Sequence, residues 1–152
     1  MPKRILVIDD EPMVIKMATD ALVARGFSVS SAPNGYEGLI AARELRPDLI
    51  LLDVVMPDLD GHEVAARLQK DERTKNIPVI HLTAVGDYSE QLHAMEGGLK
   101  DYITKPIKPS DLADRVESFL DPSKRDRADR EAHAKAGKLR AIVDIMHRDH
   151  EA

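Results

Sequence analysis

Three carboxylates, a hydroxyl and a lysine stand at the ends of short apolar runs in this chain. Asp9 and Asp10 follow Ile5-Leu6-Val7-Ile8, and Asp53 follows Leu49-Ile50-Leu51-Leu52. Thr83 and Ala84 follow Ile77 to Leu82, and Lys105 follows Leu99 to Thr104. Clustered carboxylates without a partner repel, so they imply a bound hard cation. Mg²⁺ suits them, because it takes oxygen ligands and needs only one or two carboxylates beside water and phosphate. A lysine supplies a point charge for phosphate oxygens, and a threonine supplies a hydroxyl. Acid, metal, hydroxyl and lysine together make a site for phosphoryl transfer to a carboxylate nucleophile. Asp53 is the first candidate for that nucleophile, since its run ends abruptly on the carboxylate, reads as a central strand buried on both faces, and is followed at once by a Pro/Asp/Gly-rich turn. Singly these residues say little: a strand-end Asp is more often a turn cap. Their joint order carries the signal.

The elements that must position them read as an alternation. Short apolar runs bounded by turn formers are strands buried on both faces, the habit of a parallel sheet. Pro12 suits the first turn of a helix, along which Val14, Met17, Ala18, Ala21, Leu22 and Ala24 recur until Gly26. Phe27 to Ala32 reads as a strand, and Asn34 caps a helix bearing Leu39, Ile40, Ala42 and Leu45, broken at Pro47. After Gly61, Val64, Ala65 and Leu68 mark a third helix to about Asp71. A polar loop, 72–76, precedes the fourth strand, Ile77 to Leu82. A short helix near Ser89 to Glu96 ends at Gly97-Gly98, and Leu99 to Thr104 is the fifth strand. Ser110 or Asp111 caps the next helix, with Leu112, Val116, Phe119 and Leu120. The Leu39/Ile40/Leu45 and Val64/Leu68 stripes read as core. Five strand–helix pairs predict an α/β fold, a doubly wound parallel sheet with helices on both faces. In such sheets ligands bind beyond the carboxyl ends of the strands, where all five residues lie.

Composition removes several classes. No run approaches the roughly 18 apolar residues that span a bilayer, and the N-terminal apolar stretch is too short for a signal peptide. With 0 cysteines there are no disulfides or thiolate metal sites, which fits a reducing cytoplasm. Residues 121–152 hold 8 Lys/Arg against 7 Asp/Glu, leaving 14 against 20 in residues 1–120, a net of −6 there. So acidic a body is a poor non-specific nucleic-acid binder, and no direct DNA binding is expected.

Over residues 3–120 the chain resembles the receiver domain of two-component response regulators, such as the single-domain chemotaxis regulators. That resemblance implies a flavodoxin-like sheet in the order 2-1-3-4-5. It matches Asp53 to the phosphoacceptor, and Asp9 and Asp10 to the acidic pair that serves Mg²⁺ (or Mn²⁺). Asp53 and the backbone carbonyl of Val55 complete the metal ligands. Thr83, Ala84 and Lys105 match the groups that hold the phosphoryl oxygens, Thr83 being also the switch hydroxyl. Tyr102 matches the switch aromatic, and Pro106 a cis proline after the lysine. The implied function is a phosphorylation-activated switch, charged by the phosphohistidine of a sensor histidine kinase or phosphotransfer protein. It catalyses only its own phosphorylation and dephosphorylation and passes the change to a downstream protein partner or a second copy. Val55 and Val85 stand where many members are polar, which points to a longer phosphoryl lifetime. Leu99 and Lys100 replace the usual small and acidic residues at the signalling surface.

Two other readings are less supported. Haloacid-dehalogenase-like phosphohydrolases place their acids as Asp-x-Asp after the first strand, not as Asp9-Asp10-Glu11. A pseudo-receiver that only binds partners usually loses an acid or the lysine, and both are present. His62, His81 and His93 are scattered and read as surface or packing residues. The domain is expected to span 1–121, with 122–152 a charged, helical extension. In that extension Leu139, Ile142, Val143 and Met146 fall at helical spacing and form an apolar stripe that should be buried. A start at Met1 and a tail this short favour a stand-alone receiver acting by protein contact.

Overall fold

The structure, a computed structural model, describes residues 2–84, 101–121, 123 and 125–151. Five parallel strands, β1 (Arg4–Ile8), β2 (Ser28–Ala32), β3 (Leu49–Asp53), β4 (Val79–Ala84) and β5 (Asp101–Lys105), form one sheet. Their spatial order is β2-β1-β3-β4-β5. The described helices are α1 (Pro12–Val23), α2 (Gly35–Leu45), α3 (Gly61–Lys70), α4 (Pro109–Leu120) and α5 (Arg125–Glu151). The helix expected near Ser89 to Glu96, together with Val85, Leu99 and Lys100, lies outside the described residues.

Because side chains alternate along a strand, β1 and β3 each feed two cores. Leu6, Ile8, Ile50 and Leu52 face α2 and α3, meeting Leu39, Ala42, Val64 and Leu68. Ile5, Val7, Leu49 and Leu51 face the other way, meeting Leu22 of α1 and Leu112, Val116 and Phe119 of α4. Leu49 to Leu52 are all fully buried, and each large aliphatic side chain so placed contributes about 1.5–3 kcal/mol. An unbroken apolar run is therefore what a central strand requires.

Local signals set most boundaries. Pro12 opens α1 at its first turn. Gly26 lies beyond its end at φ 91°, a left-handed conformation that suits glycine. The Asn34 side chain accepts the Glu37 N–H at 2.9 Å and caps α2. Asp60 does the same for α3 through the Glu63 N–H, also at 2.9 Å.

Other expectations fail for identifiable reasons. Neither Ser110 nor Asp111 caps α4: Pro109 occupies its first turn and Lys108 precedes it, with no side-chain cap. β4 begins at Val79, so Ile77 and Pro78 lie in the approach, where the Pro78 carbonyl accepts the Ile50 N–H. Ile40 is 52% exposed and Leu45 38% exposed. They are not core, because Leu39 and Ala42 occupy the sheet-facing side of α2 and one helical step turns Ile40 away. The stripe of α5 divides likewise. Leu139 and Val143 are buried against Tyr102, while Ile142 and Met146 remain exposed.

Candidate functional site

The carboxyl ends of β1, β3, β4 and β5 bring the acids and the lysine together. Asp53 ends β3 and is buried, as is Asp9, one residue past β1. The Glu11 N–H donates to Asp9 Oδ1 at 2.9 Å, folding the acidic run back on itself where α1 begins. One carboxylate oxygen from each of Asp9, Asp10, Glu11 and Asp53 lies within 4.8 Å of the others. Lys105 Nζ is 3.3 Å from Asp9 Oδ2, 3.4 Å from Asp53 Oδ1 and 3.2 Å from Glu11 Oε1. Asp10 and Glu11 are exposed at the rim.

The loop between β3 and α3 is pinned at both ends, which fixes Asp53. The Gly61 N–H donates to the Val54 carbonyl at 2.8 Å. A Cβ on Gly61 would collide with the Asp53 carbonyl, so only glycine permits that closeness. Asp58 accepts the Gly35 and Tyr36 N–H groups, each at 3.1 Å, tying the loop to the start of α2. The Val55 N–H donates to Asp53 Oδ1 at 3.3 Å, while its side chain projects into solvent.

The electrostatics follow from four carboxyl groups facing one ammonium. Burial, and then the charge of Asp9, push the Asp53 carboxyl up to about 7 against the favourable pull of Lys105. Burial likewise raises the Asp9 carboxyl. Burial opposes the charge on Lys105, but Asp53 and Asp9 outweigh it and raise its pKa. Asp9 Oδ2 is buried with no hydrogen bond, although Lys105 lies within ion-pair distance. All-oxygen donors in excess of one cation, with a buried acceptor left over, fit Mg²⁺ or Mn²⁺.

Thr83 is buried near the end of β4, one residue past Leu82, the partner of Asp53 in the sheet. Ala84 pairs with Lys105. The Lys105–Pro106 peptide bond is cis. Tyr102 lies under α5, against Leu139 and Val143. Glu11 was not singled out from the sequence, although the run Asp9-Asp10-Glu11 before Pro12 held the signal. His81 is fully buried, with its ring centroid 5.3 Å from that of His62, a packing role.

Fold and site together define a flavodoxin-like α/β domain with an acidic pocket and a converging lysine. The profile of the response regulator receiver domain matches residues 5–117, and the chain belongs to that family. It is 40% identical over 117 residues to the DNA-binding dual master transcriptional regulator RpaA of Synechocystis sp., covering 77% of this chain and 48% of that one. It is also 40% identical, over 120 residues, to the DNA-binding response regulator MtrA of Mycolicibacterium smegmatis, covering 79% and 51%. The structure of a putative response regulator from Chloroflexus aurantiacus superposes with a TM-score of 0.75 at 34% identity. That match covers 79% of this chain and 98% of the other. The chain spans about half the length of the curated relatives RpaA and MtrA.

These relatives correct the expectation of no direct DNA binding, since both carry that property in their names. The charge argument reached only the acidic residues 1–120, whereas the property belongs to proteins about twice as long as the matched segment. Among the described residues no helix is long and apolar enough to cross a membrane.

Proposed function

We propose that the chain is a phosphorylation-activated switch whose phosphoacceptor is Asp53. A carboxylate oxygen of Asp53 attacks the phosphorus of a phosphohistidine on a sensor histidine kinase or phosphotransfer protein. The phosphorus–nitrogen bond breaks, and its electron pair returns to the donor imidazole. Asp9, Asp10, Asp53 and the Val55 carbonyl would hold Mg²⁺ or Mn²⁺, which supplies charge neutralisation when bound. Lys105 meets the phosphoryl oxygens as a fixed cation, and the Thr83 hydroxyl and the Ala84 N–H donate to them. The new dianion biases a two-state element that includes Thr83 and Tyr102. The domain thus catalyses only its own phosphorylation and dephosphorylation, and a cytoplasmic setting supplies its donor.

One observation carries this reading. Lys105 Nζ lies within 3.4 Å of both buried carboxylates, Asp53 at the end of β3 and Asp9 beyond β1. Incubation with acetyl phosphate and Mg²⁺ should add one phosphate by intact mass, and Asp53→Asn should abolish it. Equal labelling of the Asn variant would overturn the assignment.

A further inference from the structure

Helix α5 has 27 residues and packs on the receiver along a seam beside β5 and α4. Among the described residues, that seam has Leu139 and Val143 buried against the half-buried Tyr102. Lys135 Nζ stands 4.4 Å from the centroid of the same ring, a cation–π contact. Lys135, Leu139 and Val143 lie four residues apart in turn, on one line along the helix. The packing is incomplete. A cleft of about 290 Å³, lined by Tyr102, Thr104, Lys108, Arg115 and Lys135 among others, remains between α5, β5 and α4. The apolar face of α5 is also wider than its seam, because Ile142, Ile145 and Met146 are 37%, 57% and 46% exposed.

The receptor for this seam is coupled by covalent geometry to the acidic pocket. Tyr102 and Lys105 share the five-residue strand β5, at the edge of the sheet. Three residues of strand separate them by only about 10 Å. One end of β5 therefore holds the lysine that contacts three carboxylates, and its middle carries the ring on which α5 sits.

From this arrangement we infer that α5 is a reversible intramolecular cover on the β5–α4 face, seated on Tyr102 and released when the pocket takes a phosphoryl group. The inference rests on the phosphoacceptor reading. A phosphoryl dianion on Asp53 rearranges the contacts of Lys105 and shifts β5. Among the described residues the contact on the ring is Leu139, Val143 and Lys135, and packing of that kind tolerates little displacement before it loses its contacts. Release frees the β5–α4 face. It also frees Leu139 and Val143, which then join the already exposed Ile142 and Met146 in one apolar helix face that suits a hydrophobic groove on a protein partner. While docked, α5 withholds the β5–α4 face together with its own Leu139 and Val143.

Amide hydrogen exchange of the full chain tests this, before and after acetyl phosphate and Mg²⁺, with intact mass read on the same samples. Phosphorylation should speed exchange across residues 125–146 on the order of tenfold, the range of an ordinary coupling between sites. Leu139→Asp with Val143→Asp should give fast exchange there in both states while retaining phosphate uptake. Leu139→Ala should fall between. One phosphate by mass with unchanged exchange in α5 would sink the cover alone. So would wild-type protection of α5 in the double variant. No phosphate uptake by the wild type would instead sink the phosphoacceptor reading, and the coupling with it.

Discussion

Neutralising Asp53 should make the metal-free protein more stable at pH 8. Burial and Asp9 raise its carboxyl from 3.8 to about 7 in the folded chain, so between those values the folded state retains a proton that the unfolded state has lost. Stability therefore falls as pH rises through that window, because the unfolded state binds fewer protons. At 1.36 kcal/mol per unit, keeping Asp53 ionised costs at most about 4 kcal/mol at pH 8. That cost is already net of the attraction of Lys105, which keeps Asp9 and Glu11 as partners; Asp53→Asn removes it but leaves a polar amide to be desolvated in the same buried place. A net gain of about 2 kcal/mol remains, worth about 4–8 °C in Tm for a chain of this size. Urea titrations in EDTA at pH 8, 6 and 4 should show this advantage shrinking towards zero, since below pH 4 both states carry the proton. A variant no more stable than wild type at pH 8, or one whose advantage grows towards pH 4, would refute the electrostatic account.

Asp10→Asn should weaken Mg²⁺ binding in a calorimetric titration while leaving the apo fold intact, as it removes one of four clustered carboxylates; unchanged affinity would remove Asp10 from the metal site. Gly61→Ala should cost about 1–3 kcal/mol by overpacking, because its Cβ meets backbone at Asp53 and Val54 that cannot swing aside. The same substitution should slow phosphate uptake, read by intact mass, if that close approach positions Asp53. Thr83→Ala should still accept phosphate, yet the exchange of α5 should respond less than in wild type; an identical response would separate Thr83 from the switch.

Much of this protein follows from local pattern. The unbroken runs Ile5 to Ile8 and Leu49 to Leu52, short and bounded by turn formers, suit strands covered on both faces. Parallel strands carry their last residues to one edge, so Asp9, Asp53, Thr83 and Lys105 converge as soon as the fold class is known. Asn34 and Gly26 bound their helices through backbone chemistry that needs no distant partner. Other features waited for the tertiary structure. Periodicity assigns residues to a face of a helix but does not say how wide a strip of that face the neighbours cover. Ile40 and Ile142 therefore stay exposed beside buried Leu39 and Val143. Glu11 joins Lys105, 94 residues away, only because α1 starts beside the end of β5. The use of Gly61 depends on how closely the loop returns to Asp53. The seat of α5 on Tyr102 needed two segments about 40 residues apart to meet, and spacing within either one contains no information about the other.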